Sequence, residues 1–192
     1  MSTIKPTLHH VTIKTSRLDE MIKWYEFVLG AHVQFRDSGA AWMTNDGANH
    51  RVAFLAVAGL SDDADKIWHN GMHHSAFEYD SFADLMSSYD RMRKGGVEPA
   101  FCLDHGLTIS LYYKDPEGNF VELQSDNFSD WKLSGEFMRT SADFVANPIG
   151  TFFDPAKVYD AFASGAEFKS LQKEIRGGVY LPNPIPNIGL PV

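Results

Sequence analysis

Apolar positions along the chain follow two periods, one of two residues and one near 3.6. Val11 and Ile13 alternate with His10, Thr12 and Lys14, which predicts a short strand with one polar face. Leu18, Met21, Ile22, Tyr25, Val28 and Leu29 then recur at helical spacing until Gly30 stops the pattern. Phe82, Leu85, Met86, Tyr89 and Met92 do the same before Gly95-Gly96. Strand-like runs follow each helix: His32 to Arg36, Ala41 to Thr44 and His50 to Val57, then Val97 to Leu103, Thr108 to Lys114 and Phe120 to Gln124. Turn residues Asp104-His105-Gly106 and Asp115-Pro116-Glu117-Gly118-Asn119 separate the last three.

The two patterns are copies of one another. A shift of 64 positions lays Leu8-His9-His10-Val11-Thr12-Ile13 on Met72-His73-His74-Ser75-Ala76-Phe77. Without a gap it also pairs Leu18 with Phe82, Met21 with Leu85, Ile22 with Met86, Tyr25 with Tyr89, Val28 with Met92 and Val33 with Val97. Each half reads βαβββ, so the fold class is α+β, with tandem modules at about residues 8–64 and 72–127. One helix covers one face of so small a sheet. The other faces are therefore expected to meet across a pseudo-twofold around a metal-binding cleft, inside one domain spanning residues 1–127.

Residues 128–192 lie outside the repeat and predict a helical and proline-rich C-terminal extension. Pro155 to Ala163 and Glu167 to Ile175 have helical spacing, with Asp154 as N-cap, Pro155 at N1 and Ser164-Gly165 as the break between them. Pro182, Pro184, Pro186 and Pro191 exclude a regular helix or central strand, so the end is expected to pack as an extended arm over the modules or onto a second subunit.

Composition narrows the function classes. Hydrophobic residues are 44% and charged residues 22% of 192, a globular balance. Seventeen Lys and Arg against 25 Asp and Glu give a net charge of −8, which argues against nucleic acid and anionic membrane as partners. Val52 to Leu60, the most apolar stretch, is about half of the ~20 residues a membrane span needs, and Met1 to Lys5 lacks a signal peptide's apolar segment. A cytoplasmic location is expected. The one cysteine, Cys102, reads as a packed small apolar residue, so any metal must be held by nitrogen and oxygen.

Strand alternation selects the metal candidates. His10 and His74 occupy equivalent positions of the two copies, and Glu122 separates from Val121 and Leu123 on the last strand. Two imidazoles and one carboxylate, with other positions left open, form the ligand set of non-haem Fe(II) oxygenases. By the same alternation His9 and His73 face away and are structural. His32 and His69 have no constellation around them, and Tyr25 and Tyr89 belong to the core. Trp42, Phe54, Phe101, Trp131 and Phe137 are candidate walls for an aromatic-ring pocket.

One stretch carries a specific resemblance: His105, five residues, Leu111-Tyr112, two residues, Asp115-Pro116-Glu117-Gly118, three residues, Glu122. It resembles the signature of type I extradiol ring-cleaving dioxygenases in the vicinal oxygen chelate superfamily, with Leu103 departing from the usual residue type. Asn49-His50-Arg51-Val52-Ala53-Phe54 is similar to the segment that carries that family's catalytic histidine. The resemblance covers about residues 8–126, without the second, non-catalytic pair of modules found in many members. It implies that His10, His74 and Glu122 hold Fe(II), less often Mn(II), and that His50, His105 and Tyr112 serve a catechol-type substrate and O₂. A homo-oligomer is expected as well. Asp115-Pro116-Glu117-Gly118 is itself a turn that any hairpin accepts. Two other readings stay open: a metal-dependent lyase, isomerase or transferase of glyoxalase or fosfomycin-resistance type, and a metal-free ligand-sequestering protein.

Overall fold

A computed structural model of the chain describes residues 4–188, so Pro191 lies outside the described residues. Contacts divide the chain into two units, Met1–Ala64 with Asp115–Asn119, and Asp65–Lys114 with Phe120–Val192.

The first unit runs β1 (Val11–Thr15), α1 (Leu18–Leu29), β2 (His32–Arg36), β3 (Ala40–Thr44) and β4 (Val52–Ala56). Its sheet has the order β1-β4-β3-β2, with β1 parallel to β4 and the other pairs antiparallel. Helix α1 buries Met21, Ile22, Tyr25 and Val28 and ends at Gly30, whose φ of 64° is free of a Cβ clash. Ala41 pairs with Phe54 and Met43 with Val52, so these four side chains share one face, all buried beneath α1. The Tyr25 and Phe54 rings meet at 5.0 Å, which makes Phe54 a core residue and not the pocket wall expected of it. β4 is shorter than the expected His50 to Val57. Arg51, just before it, commits its side chain to Asp46 (2.8 Å) and to the His9 carbonyl (3.0 Å).

The turn at residues 115–119 also belongs to this unit. Asp115 accepts hydrogen bonds from the Glu117 and Asn119 amides, the Asn119 side chain and the Tyr25 hydroxyl. Glu117 takes the Ser16 amide and the Arg17 guanidinium. The polar groups of this turn are thus consumed in building it.

The second unit repeats the topology: β5 (His74–Tyr79), α2 (Phe82–Lys94), β6 (Phe101–Asp104), β7 (Thr108–Lys114) and β8 (Phe120–Asp126). The order is β5-β8-β7-β6-β9, again with the first strand of the copy parallel to the last. The Ser81 hydroxyl caps α2 by accepting the Asp84 amide at 3.1 Å, and α2 buries Phe82, Leu85, Met86, Tyr89 and Met92. β6 begins at Phe101 and not at Val97, since Pro99 has no N–H for a ladder. Cys102 is buried within it, with its thiol pushed up by burial, as a packed apolar residue should be.

The extension adds α3 (Trp131–Thr140), α4 (Ala142–Ala146), β9 (Thr151–Phe152), α5 (Pro155–Ala163) and α6 (Phe168–Arg176). The two expected helices are α5 and α6, and the Asp154 carboxylate caps the first through the amides of Ala156 and Lys157. Unforeseen in the sequence are α3, α4 and β9, which pairs Phe152 with Leu103 and Thr151 with Asp104. The arm packs on the second unit: Ile188, 1% exposed, joins Phe101, Leu103, Tyr112, Phe120 and Phe152 in one cluster. Among the described residues no helix is long and apolar enough to cross a membrane.

Candidate functional site

Side chains with chemistry gather on the face of the second sheet that α2 does not cover. Across the β7–β8 ladder Tyr112 stands opposite Glu122, and across β5–β8 Glu122 stands opposite Ala76, two residues from His74 on the same face. The result is a chain of contacts. His74 Nε2 lies 2.9 Å from Glu122 Oε2, Tyr112 Oη donates to Glu122 Oε1 at 2.9 Å, and His105 Nε2 lies 2.8 Å from Tyr112 Oη. Tyr112 has one proton and gives it to Glu122, so His105 Nε2 carries the proton that fills the Tyr112 oxygen.

Electrostatics fixes the state of each group. Burial works to raise Glu122, but hydrogen bonds from His74 and Ser110 and the charges of His74 and His105 outweigh it, and the carboxyl ends below its usual range. Burial, then the Glu122 charge, raises the Tyr112 hydroxyl well above normal, so it stays protonated. Burial lowers His105. Phe101 stacks on Tyr112 at 4.4 Å and 19° and fixes its ring. Glu122 is 4% exposed yet held ionised, with one oxygen aimed at an imidazole nitrogen, and such a buried charge calls for a positive partner. An imidazole and a carboxylate so placed are donors of the kind that bind a divalent cation.

The loop carrying His105 is braced from the extension, a feature not foreseen in the sequence. Asp104, with its side chain wholly buried, accepts from Arg176 of α6 at 3.1 Å, from the Gly106 amide at 2.8 Å and from Asn127 at 3.1 Å. Arg176 also reaches the Gly106 carbonyl at 2.9 Å. Behind this loop is a cavity of about 220 Å³ whose lining includes His105, Phe137, Phe144, Asn147 and Arg176. Charge complementarity across 72 residues leaves no local signal in a sequence.

In the first unit the structure brings together His9, His10 and His50, with ligating nitrogens within 4.8 Å of one another. The β1–β4 register explains this. Val11 pairs with Val52, and the Val11 amide donates to the Arg51 carbonyl, so the residues just before the two strands are neighbours. The His10 and His50 rings are 4.3 Å apart, and burial, then the neighbouring His10 and His9, lowers His50. Among the described residues this is the group of three side chains close enough to share a cation.

The expected orientation of His9 and His73 is corrected. Strand alternation governs only residues inside a strand, and β1 begins at Val11 and β5 at His74. His9 Nδ1 therefore turns to His10 Nδ1 at 3.0 Å, and His73 Nδ1 to His74 Nδ1 at 2.8 Å. His32 and His69 are exposed, whereas Tyr25 and Tyr89 are core residues. Of the aromatic candidates, Phe101 stands beside the site, Phe137 lines the cavity, Trp42 is half-buried, and Trp131 is exposed with its indole donating to Glu78.

Known proteins resemble the chain in sequence and in fold. Residues 7–123 match the family described as the Glyoxalase/Bleomycin resistance protein/Dioxygenase superfamily. Biphenyl-2,3-diol 1,2-dioxygenase 2 of Rhodococcus globerulus is 39% identical over 163 residues, 85% of each chain, and biphenyl-2,3-diol 1,2-dioxygenase 3 of the same organism is 36% identical over the same share. The crystal structure of a glyoxylase/bleomycin resistance protein/dioxygenase domain from Frankia sp. EAN1pec superposes with a TM-score of 0.51 at 20% identity, over 65% of this chain and 94% of that one, a likeness of fold.

Proposed function

The chain belongs to the Glyoxalase/Bleomycin resistance protein/Dioxygenase superfamily, and from that premise we propose that it is an extradiol dioxygenase. It opens a catechol-type ring, such as 2,3-dihydroxybiphenyl or a 3-substituted catechol, beside its two hydroxyls and incorporates both atoms of O₂. The observation that carries this reading is the hydrogen-bonded run His105–Tyr112–Glu122–His74, which joins two ligand types to two groups able to serve a diol. The relatives at 36–39% identity, named for biphenyl-2,3-diol cleavage, support it.

In this reading His10, His74 and Glu122 hold Fe(II), with Mn(II) as a substitute. Fe(II) would supply open coordination positions for the diol oxygens and for O₂. His50, kept neutral near pH 7 by its lowered proton affinity, accepts a proton from one diol hydroxyl and later returns it. Tyr112 stays protonated and, when a diol is bound, turns its one hydroxyl proton from Glu122 to a diol oxygen, while His105 supports Tyr112 and meets another region of the substrate. Residues 1–127 act as the catalytic domain, with 128–192 as its extension. A cytoplasmic homo-oligomer completes the proposal, supported by the edge strand β2 with its exposed Phe35.

Anaerobic loading with Fe(II), followed by 2,3-dihydroxybiphenyl and 3-methylcatechol in air, tests the activity. Oxygen uptake with a coloured ring-opened product is expected. Silence across a catechol panel rejects the proposal, and full activity of a zinc-loaded protein on a non-aromatic substrate would favour a glyoxalase or fosfomycin-resistance type of reaction. A monomeric sedimentation profile would remove the oligomer from the proposal.

A further inference from the structure

His9, His10 and His50 meet at one end of the first sheet. Their ring centroids are 5.3 Å apart for His9 and His10, 5.2 Å for His9 and His50 and 4.3 Å for His10 and His50. One ligating nitrogen from each lies within 4.8 Å of the others, and His9 Nδ1 is 3.0 Å from His10 Nδ1. The backbone beneath them is fixed. The Arg51 guanidinium donates to the His9 carbonyl at 3.0 Å and to Asp46 at 2.8 Å, the Val11 amide donates to the Arg51 carbonyl at 3.0 Å, and the Arg51 amide donates to the Met43 carbonyl at 2.8 Å. The rings themselves are exposed or half-buried, so an ion reaches them from solvent and they have room to turn toward it.

The second copy does not repeat this arrangement. Ala53 stands opposite Thr12 in the β1–β4 ladder, where Glu122 stands opposite Ala76 in the β5–β8 ladder. Just outside the ladders His50 lies beside His9, whereas the matching neighbour of His73 is Asn119, whose amide and side chain are both spent on Asp115. The first copy thus carries a third imidazole in place of the carboxylate, and its donors are all nitrogen. Donor type decides which ion is held. Three neutral imidazoles bind ions late in the first-row series more tightly than Fe(II) or Mn(II), and Zn(II) is satisfied by three of them and a water. Zn–N bonds of about 2.0–2.1 Å put tetrahedral ligand nitrogens roughly 3.3 Å apart. Rotation of the side chains reaches that spacing from the observed one.

We propose that His9, His10 and His50 form an inhibitory site for a late divalent cation, with Zn(II) as the probe. The binding half stands on the trio alone. The inhibitory half rests on the dioxygenase reading, in which His10 is a ligand of Fe(II) and His50 the base. An ion on the trio withdraws both from catalysis, and His9 is the one member that the catalytic reading does not use.

His9 therefore separates the two sites. Zn(II) affinity is measured by competition with a chromogenic chelator in Glu122→Gln, where the His74–Glu122 pair is broken, and in the same background carrying His9→Ala. His74→Ala replaces Glu122→Gln if that variant does not fold. One Zn(II) per chain is expected in Glu122→Gln, with X-ray absorption showing three imidazoles around the ion, and binding about 100-fold weaker once His9 is removed. Zn(II) should also slow turnover of 2,3-dihydroxybiphenyl by the Fe(II)-loaded enzyme, each protein read against its own zinc-free rate, and His9→Ala should need about 100-fold more Zn(II) for half inhibition. Equal Zn(II) affinity with and without His9, or fewer than three imidazoles on the bound ion, overturns the site. Equal inhibition of wild type and His9→Ala, or Zn(II) on the trio with turnover unchanged, overturns the inhibition. A protein with His9-dependent Zn(II) binding and no O₂ uptake on catechols keeps the site and loses the dioxygenase reading, while an active enzyme indifferent to His9 in both assays does the reverse.

Discussion

Tyr112 and Glu122 face each other across the β7–β8 ladder with hydroxyl and carboxylate 2.9 Å apart, and each stabilises the other's ionisation state. Tyr112→Phe keeps the stack on Phe101 and removes the donor. Turnover of 2,3-dihydroxybiphenyl should fall by about 10²-fold with the thermal midpoint little changed. Steady-state kinetics on the Fe(II)-loaded variant checks this, and wild-type kcat would remove Tyr112 from the machinery.

The metal ligands make a second prediction. His10→Ala, His74→Ala and Glu122→Gln should each retain far less than one Fe(II) per chain after gel filtration. Metal analysis of the desalted protein is the measurement. Full iron retention by any one variant excludes that residue from the set.

Arg176→Ala removes the brace on Asp104 and on the Gly106 carbonyl and leaves a buried carboxylate with two neutral donors. Because Arg176 is itself partly exposed, the expected loss is about 1–3 kcal/mol in urea unfolding. Looser placement of His105 should appear as a raised KM for the diol.

Two glycines with similar backbone angles should respond differently to alanine. At Gly150, φ 98°, a Cβ runs into the Asp104 carbonyl, whereas at Gly118, φ 78°, it meets nothing within 4 Å. Gly150→Ala should cost about 2–4 kcal/mol and Gly118→Ala about 1 kcal/mol by chemical denaturation. Equal costs would contradict the close approach of residues 104 and 150.

Stability of the metal-free protein should fall on the acid side in two windows. Burial lowers His105 from the usual 6.5, so the unfolded chain takes the proton first, and its contribution is complete above pH 6.5 and lost below it. Glu122, held below 4.5 by His74 and Ser110 against burial, contributes above pH 4.5, and this is lost as pH falls through its folded value. Thermal midpoints against pH should flatten just below 6.5 in His105→Gln and below 4.5 in Glu122→Gln. Unchanged slopes would refute the assignment.

Much of this was legible because it is local or repeated. Helices α1 and α2 are written in apolar spacing, the doubled βαβββ in a 64-residue shift, and the opposition of Tyr112 to Glu122 in strand alternation joined by a five-residue turn. Alternation failed at His9 and His73 because each stands one or two residues outside its strand, where backbone angles no longer hold the period. Phe54 was misread because its aromatic ring does not say which side of the sheet the helix covers. The Arg176–Asp104 tie and the β9 pairing are long-range, and nothing short-range in 128–192 announces them.

Strand β9 is two residues long, yet it occupies the outer margin of β6. A chain cut at residue 127 would leave the amides and carbonyls of Leu103 and Asp104 without their β9 partners, on a strand whose side chains are all buried. Such a margin recruits foreign backbone. The tail thus covers that margin, and a version of this protein shortened at residue 127 is expected to partition into the insoluble fraction, which a solubility assay checks before its catalysis is judged.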